Sequence, residues 1–244
     1  METNQIDLDF AKAWDKSQGN FSKDLALNIL NYSNQNKLKI STALDICCGT
    51  SNFLNEINSA GAICFGTEID QSMIDYSKEK YPSLTFQLTN SVHDFKFKTK
   101  FDLITCNHDM INYLESFDEW INLFKNAMKH LNKHGVFIFD FYTKNKLKDW
   151  NETTFSTTDS LDCLLNVKSG LFDKTVLSYT YYINYEDYMI KTKSITTECY
   201  YETQTILDAL KKVGFKNVSL VDENLNPLTD IDSAERIHVI AKRK

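Results

Sequence analysis

The chain has 244 residues, 42% hydrophobic and 25% charged, with a net charge of −6. That length can bury one full-sized core, while the acidic balance, with no dense basic run, withholds the electrostatic footprint of a nucleic-acid binder. The six cysteines, at positions 47, 48, 64, 106, 163 and 199, form no CxxC pair and no grouping with histidine, which argues against a zinc site and for a reducing compartment.

The opening METNQIDLDF lacks a charged-then-apolar leader, and no uninterrupted apolar stretch could span a bilayer. A cytoplasmic protein without a membrane partner is therefore expected. Residues 5–36 carry helical spacing in two apolar stripes, Phe10-Ala13-Trp14 and Leu25-Leu27-Ile29-Leu30, with a break expected at Ser17-Gln18-Gly19-Asn20. Next comes Lys39–Phe53, KISTALDICCGTSNF. A short apolar run that ends in small residues and then turns helical reads as a buried parallel strand feeding a nucleotide-binding turn. It reads equally as a plain strand–turn–helix. Gly49 alone in this turn takes positive φ without cost. The following strand, Ala62–Glu68, ends on an acidic residue a little under twenty positions beyond the turn, where a carboxylate can accept both ribose hydroxyls.

A helix is predicted over Gln71–Lys80, stopped by Pro82, and a third strand over Leu84–Leu88. Phe101–Cys106 is the fourth strand, and it empties into Asn107-His108-Asp109-Met110-Ile111-Asn112-Tyr113. Phe117–Asn132 is read as a helix closed by Lys133-His134-Gly135, and Val136–Phe141 as the fifth strand. From about 150 to 202 the chain is rich in Thr and Tyr, with antiparallel strands at Val176–Ile183 and Met189–Ile195 around Glu186-Asp187. Thr203–Val213 is a helix capped by Thr203 and closed by Gly214, followed by strands at Val218–Val221 and Ile237–Ala241.

The order Leu44-Asp45-x-x-Cys48-Gly49-Thr50, then Gly66-x-Glu68-x-x-x-x-Met73, resembles the class I S-adenosylmethionine (SAM)-dependent methyltransferases, whose usual forms are LDLGCGTG and GxDxSxxM. Two departures stand out, Cys47 and Ser51, where the family carries glycine. Phe10–Asp15 is similar to that family's FAxxYD lid segment, with Trp14 for tyrosine; a plain core helix reads as well. The resemblance implies an α/β, doubly wound, seven-stranded Rossmann-like sheet of order 3-2-1-4-5-7-6 with an antiparallel insert after strand 5. It implies one domain over 1–244, with a helical lid at 1–37 and the insert at about 150–202. SAM contacts would come from Trp14, Asp45, Cys47, Gly49 and Thr50, then from Glu68, Ile69 and Met73. The turn after the third strand would add Asn90, Ser91 and Val92, with Ser91 where the family usually has an aspartate, and the fourth strand Cys106. Members that look most similar are bacterial small-molecule enzymes, including nucleotide-sugar amine N-methyltransferases, which implies a small-molecule acceptor and a homodimer built through the insert.

Methyl transfer from a sulfonium is an in-line displacement, and holding nucleophile and methyl in line is its largest catalytic contribution, about 7–11 kcal/mol in model systems. An amine must also lose a proton, which points to His108 as the base, with Asp109 orienting it or binding the acceptor. The bland reading is that both cap the strand. Tyr113 and Trp14 either present aromatic faces to the sulfonium or acceptor or belong to the core. A dehydrogenase would want GxGxxG, of which CCGTSN supplies only the first half. A SAM-binding protein without turnover is the remaining alternative.

Overall fold

The structure, a computed structural model, describes residues 3–148, 153–158, 161–169, 174–184 and 189–244. It opens on a single helix, α1 (Thr3–Gln35), which runs straight through the expected break at 17–20. Glycine inside a helix costs about 1 kcal/mol, but here the missing side chain is needed. A Cβ on Gly19 would stand 3.1 Å from the Asn52 amide nitrogen, so the glycine lets α1 lie close on α2 (Asn52–Ser59).

Four parallel pairings build the sheet from β1 (Thr42–Ile46), β2 (Ile63–Glu68), β3 (Thr85–Leu88), β4 (Phe101–Cys106) and β5 (Leu131–Tyr142). Helix α3 spans Gln71–Lys80 as expected. Helix α4 (Phe117–His130) starts in a capping box between Ser116 and Glu119. It stops two residues early, and β5 begins at once. Gly135 is therefore a strand residue, not a cap: a Cβ there would come 2.8 Å from the Phe101 carbonyl, where the β4–β5 register shifts. After the insert, α5 (Thr203–Val213) has Glu202, not Thr203, at its N-cap, with no side-chain capping bond, and ends on Gly214 at φ 113°.

The closing strands β10 (Lys216–Val221) and β11 (Arg236–Lys242) pair antiparallel, and β11 runs antiparallel to β5. The expected order counted the strands of this sheet alone. Because the insert contributes β6 (Thr153–Thr158), β7 (Leu161–Ser169), β8 (Lys174–Asn184) and β9 (Met189–Cys199) before the closing pair, the order along the chain is 3-2-1-4-5-11-10. The insert is a second, four-stranded antiparallel sheet in sequential order. The expected turn at Glu186-Asp187 and the start of the insert at Trp150 lie outside the described residues.

Strand alternation splits the core between two faces. On β5, Phe137, Phe139 and Phe141 pack with Trp120 and Phe124 of α4. Val136 and Ile138 face the other way, toward Leu25 and Ile29 of α1 and Leu54 and Ile57 of α2. Among the described residues no helix is long and apolar enough to cross a membrane.

Candidate active site

The turn leaving β1 carries Cys47 at φ 57°, Gly49 at 51° and Ser51 at 62°. The two positions where glycine was expected are thus non-glycine residues in the left-handed region, a conformation that costs roughly 1–2 kcal/mol per residue. Neighbouring groups hold it. The Cys48 amide donates to the Thr67 carbonyl at 2.9 Å, and the Ser51 amide to the Cys48 carbonyl at 2.9 Å. Ser77 Oγ on α3 donates to the Gly49 carbonyl at 2.9 Å and meets Ser51 Oγ at 3.1 Å. Glu68, at the end of β2, accepts the Gly49 amide at 2.9 Å on one oxygen and the Ile69 and Asp70 amides at 2.7 and 3.3 Å on the other. Burial raises its pKa, against those amide bonds.

Above this turn lies a cavity of about 510 Å³ at the carboxyl ends of β1 and β4, the point where strand order reverses and open α/β sheets bind ligands. Its roof is one stripe of α1, Phe10, Trp14, Gln18 and Ser22, spaced every four residues. Between two of these, Asp15 points the other way and latches the helix down. It accepts from Lys80 Nζ at 2.6 Å, Tyr76 Oη at 2.9 Å and Asn52 Nδ2 at 2.5 Å. Burial pulls the Asp15 pKa up, but those donors hold it below its ordinary value.

Of the expected cofactor residues, Trp14, Asp45, Cys47, Gly49, Thr50, Glu68, Ile69 and Met73 line the cavity; of the expected catalytic ones, His108 and Tyr113 do. Asn90, Ser91, Val92, Cys106 and Asp109 do not. Val92 and Cys106 are buried in the core, and Asn90 is exposed. The turn after β3 is drawn toward α4 instead, where Asn126 Nδ2 donates to the His93 and Phe95 carbonyls, both at 2.9 Å. Sequence reasoning missed Gln18 and Ser22, which the four-residue stripe from Phe10 would have found. It also missed Asn107, the insert's Thr196 and the side chains that hold Asp109.

His108 and Asp109 leave β4 at φ 60° and 50°, two consecutive non-glycine residues in the left-handed region. His108 Nε2 lies 3.1 Å from Ser22 Oγ, and its ring meets Phe21 edge-on at 4.9 Å. Burial lowers its pKa to about 4, so the imidazole is neutral at physiological pH. Asp109 does not orient that ring. Its carboxylate takes Arg236 Nη2 at 2.7 Å, while its amide donates to Asp140 at 3.0 Å. Arg236 also bonds Asp140 through Nη1 and lies 4.1 Å over the Tyr142 ring. Burial pushes the Asp109 pKa up; Asp140, which burial would also raise, is kept below its usual range chiefly by Arg236.

At the floor of the cavity, Asp45 Oδ1 accepts from Thr105 Oγ1 at 2.6 Å and Asn107 Nδ2 at 3.2 Å. Burial raises its pKa to about 7. Beside it, the buried Asn107 Oδ1 has no hydrogen-bond partner. Asp45 and Asn107 both line the cavity, and a carboxyl whose pKa burial raises, beside a buried acceptor without a partner, suits an ammonium group. Gly49 opens onto the same space, with nothing within 4 Å of where a Cβ would sit.

A ligand crevice at the switch point of a 3-2-1-4-5 sheet, with a glycine turn, an acidic residue closing the next strand and an antiparallel closing pair beside β5, is the arrangement that the resemblance to class I methyltransferases implies. Residues 18–220 match the family described as methyltransferase domain, and the chain belongs to that family. The dehydrogenase reading is thereby set aside. A SAM-dependent methyltransferase from Clostridium acetobutylicum superposes with a TM-score of 0.84 at 24% identity, over 96% of this chain and 97% of that one. SAM-bound CalS10, an amino pentose methyltransferase from Micromonospora echinaspora, superposes with a TM-score of 0.73 at 14% identity, over 96% of each chain. In sequence, the dTDP-4-amino-2,3,4,6-tetradeoxy-D-glucose N,N-dimethyltransferase of Saccharopolyspora spinosa is 26% identical over 97 residues, 40% of this chain and 39% of that protein. The chain spans less than half the length of the curated relatives it matches. S-adenosylmethionine, which CalS10 holds, fits the lining of this cavity at the pair Asp45–Asn107 and the open cradle of Gly49.

Proposed function

We propose that the protein methylates an amine on a small, hydroxyl-rich acceptor of the amino-sugar type. The observation that carries this reading is the chemistry of the cavity wall away from the cofactor turn. Gln18, Ser22, His108, Tyr113 and Thr196 present one amide, three hydroxyls and one imidazole to it. Neutral hydrogen-bonding groups of this kind suit a polyhydroxylated molecule. The printed activities of the Saccharopolyspora relative and of CalS10, both on amino sugars, agree with it.

When bound, SAM supplies a methyl carbon activated by its sulfonium. The chain's part is to hold the acceptor and take its proton. Ser22 Oγ, 3.1 Å from His108 Nε2, marks the distance at which a nucleophile's N–H would meet the imidazole. A ring with a pKa near 4 is a weak base toward an amine in water. The burial that lowers it lowers an enclosed amine as well, which brings the two proton affinities closer. Tyr113 is steadied from behind by Glu198, fully buried on β9, whose pKa burial raises and the Tyr200 and Tyr113 hydroxyls lower. A cytoplasmic setting and a homodimer formed through the insert belong to the same reading.

The test is a mass-spectrometric screen of nucleotide-linked amino sugars, their deaminated hydroxyl counterparts and simple amines, each with SAM. A gain of one methylene on amino sugars, with S-adenosylhomocysteine formed in step, is the expected result. Methylation confined to the hydroxyl counterparts would overturn the amine assignment.

A further inference from the structure

The turn that presents His108 is held from outside itself. Two adjacent left-handed residues without glycine stay in place only when surrounding contacts over-determine them, and within the turn the retaining bond is Asn112 N–H to the Asp109 carbonyl at 2.8 Å. The charged groups that hold it come from the next two strands of the sheet, β5 and β11. Asp140, near the end of β5, accepts the Asp109 amide, and Arg236, the first residue of β11, forks between the Asp109 and Asp140 carboxylates. The fork is seated on the Tyr142 ring, and Tyr142 is the register partner of Arg236 across the β5–β11 pair. Arg236 is not among the residues lining the cavity.

We propose that Arg236 is a positioning residue for methyl transfer: by clamping Asp109 and Asp140 together it fixes the strained His108–Asp109 turn, and so aims the His108 imidazole at Ser22 and the acceptor space. A guanidinium is required because two carboxylates from different elements must be engaged by one planar group; an ammonium is a point charge without that fork. The inference rests on His108 serving the acceptor, and its test separates the two claims.

The experiment compares wild type, Arg236→Lys and Asp140→Asn, the last keeping an acceptor for the Asp109 amide if the lysine variant does not fold. His108 imidazole resonances are recorded by NMR in cofactor-free protein and assigned with His108→Asn; SAM affinity is measured by calorimetry, and turnover with a dTDP-linked amino sugar. Arg236→Lys is expected to shift or broaden the His108 resonances, to leave SAM affinity within about twofold and to lower kcat by about tenfold or more. Asp140→Asn is expected to show the same signature more weakly. Adding Asp109→Gly to Arg236→Lys relieves the strain at position 109, though not at His108, and should recover part of the lost kcat. Unmoved His108 resonances in a folded Arg236→Lys protein would overturn the proposal, as would a rise in acceptor KM at unchanged kcat, which would make Arg236 a binding group. If the resonances move in Arg236→Lys while His108→Asn turns over normally, the positioning stands and the base assignment falls.

Discussion

The Cys47–Ser51 turn leaves β1 and the His108–Asp109 turn leaves β4, and each holds two non-glycine residues at positive φ. They border one cavity, yet they are retained differently. The first is held from nearby in the fold, by the amide-accepting carboxylate of Glu68, the Thr67 carbonyl and the hydroxyl of Ser77. The second is held by charges from residues 140 and 236. A turn fixed by hydrogen bonds around a glycine tolerates one close approach to a ligand. A turn fixed by a buried ion-pair fork has a stiffer support, which suits the proposed role of His108.

The largest effect that would break this contrast is expected at Gly49. Valine there must adopt φ near 51°, which a β-branched residue resists, and its side chain would fill the open cradle. Gly49→Val should abolish SAM binding by calorimetry while circular dichroism stays native; retained binding would mean that the cofactor does not rest on this turn. Glu68→Ala comes next. It removes the partner of the Gly49, Ile69 and Asp70 amides together with the proposed acceptor for the ribose hydroxyls, and should weaken SAM by about 1–3 kcal/mol, the range for bonds to a charged group.

How much of this was legible depended on how far apart the cooperating residues lie. The β1 turn, Glu68 and Met73 fall within thirty positions by sequence count, so composition and spacing exposed them together. Gly66 also carried a readable signal, since a Cβ there would come 2.6 Å from Cys48 Sγ. The strained state of Cys47 and Ser51 was visible only as the absence of expected glycines. Asp109 illustrates the opposite case. Its neighbour in sequence is His108, and an orienting carboxylate was the natural reading; its partner is Arg236, separated by 127 positions, and no local pattern announces that. Asn90, Ser91 and Val92 after β3 do not line the cavity, and the turn's bond to Asn126 on α4, more than thirty positions on, is likewise invisible in the local sequence.

A smaller effect concerns pH. Folded Asp45 has a pKa of about 7 against an ordinary 3.8, raised first by burial. Between those values the folded state keeps a proton that the unfolded chain has lost, so this group's contribution to stability is full below about pH 4 and is lost as pH rises toward 7. An ammonium bound beside it favours the carboxylate. SAM affinity should therefore fall as pH drops below 7, by up to about tenfold per unit, and become flat and weaker in Asp45→Asn. A pH-independent wild-type affinity between 5 and 8 would show that no ammonium rests there.

The smallest expected change is at Ser51. Ser51→Gly relieves a left-handed residue at φ 62° but gives up the 3.1 Å contact with Ser77, so SAM affinity should be equal or slightly tighter, by less than about 1 kcal/mol. A marked loss would make the hydroxyl a ligand contact.

The division of labour between the two turns is tested most directly in His108→Asn, by measuring SAM affinity and turnover on the same preparation. Asparagine tolerates positive φ and keeps the turn, but cannot take the proton. Turnover with the methylated acceptor should fall about a hundredfold or more, while SAM affinity stays within about twofold of wild type. Affinity falling in step with turnover would place His108 in the cofactor site, and undiminished turnover would remove it from the chemistry; either result contradicts the assignment.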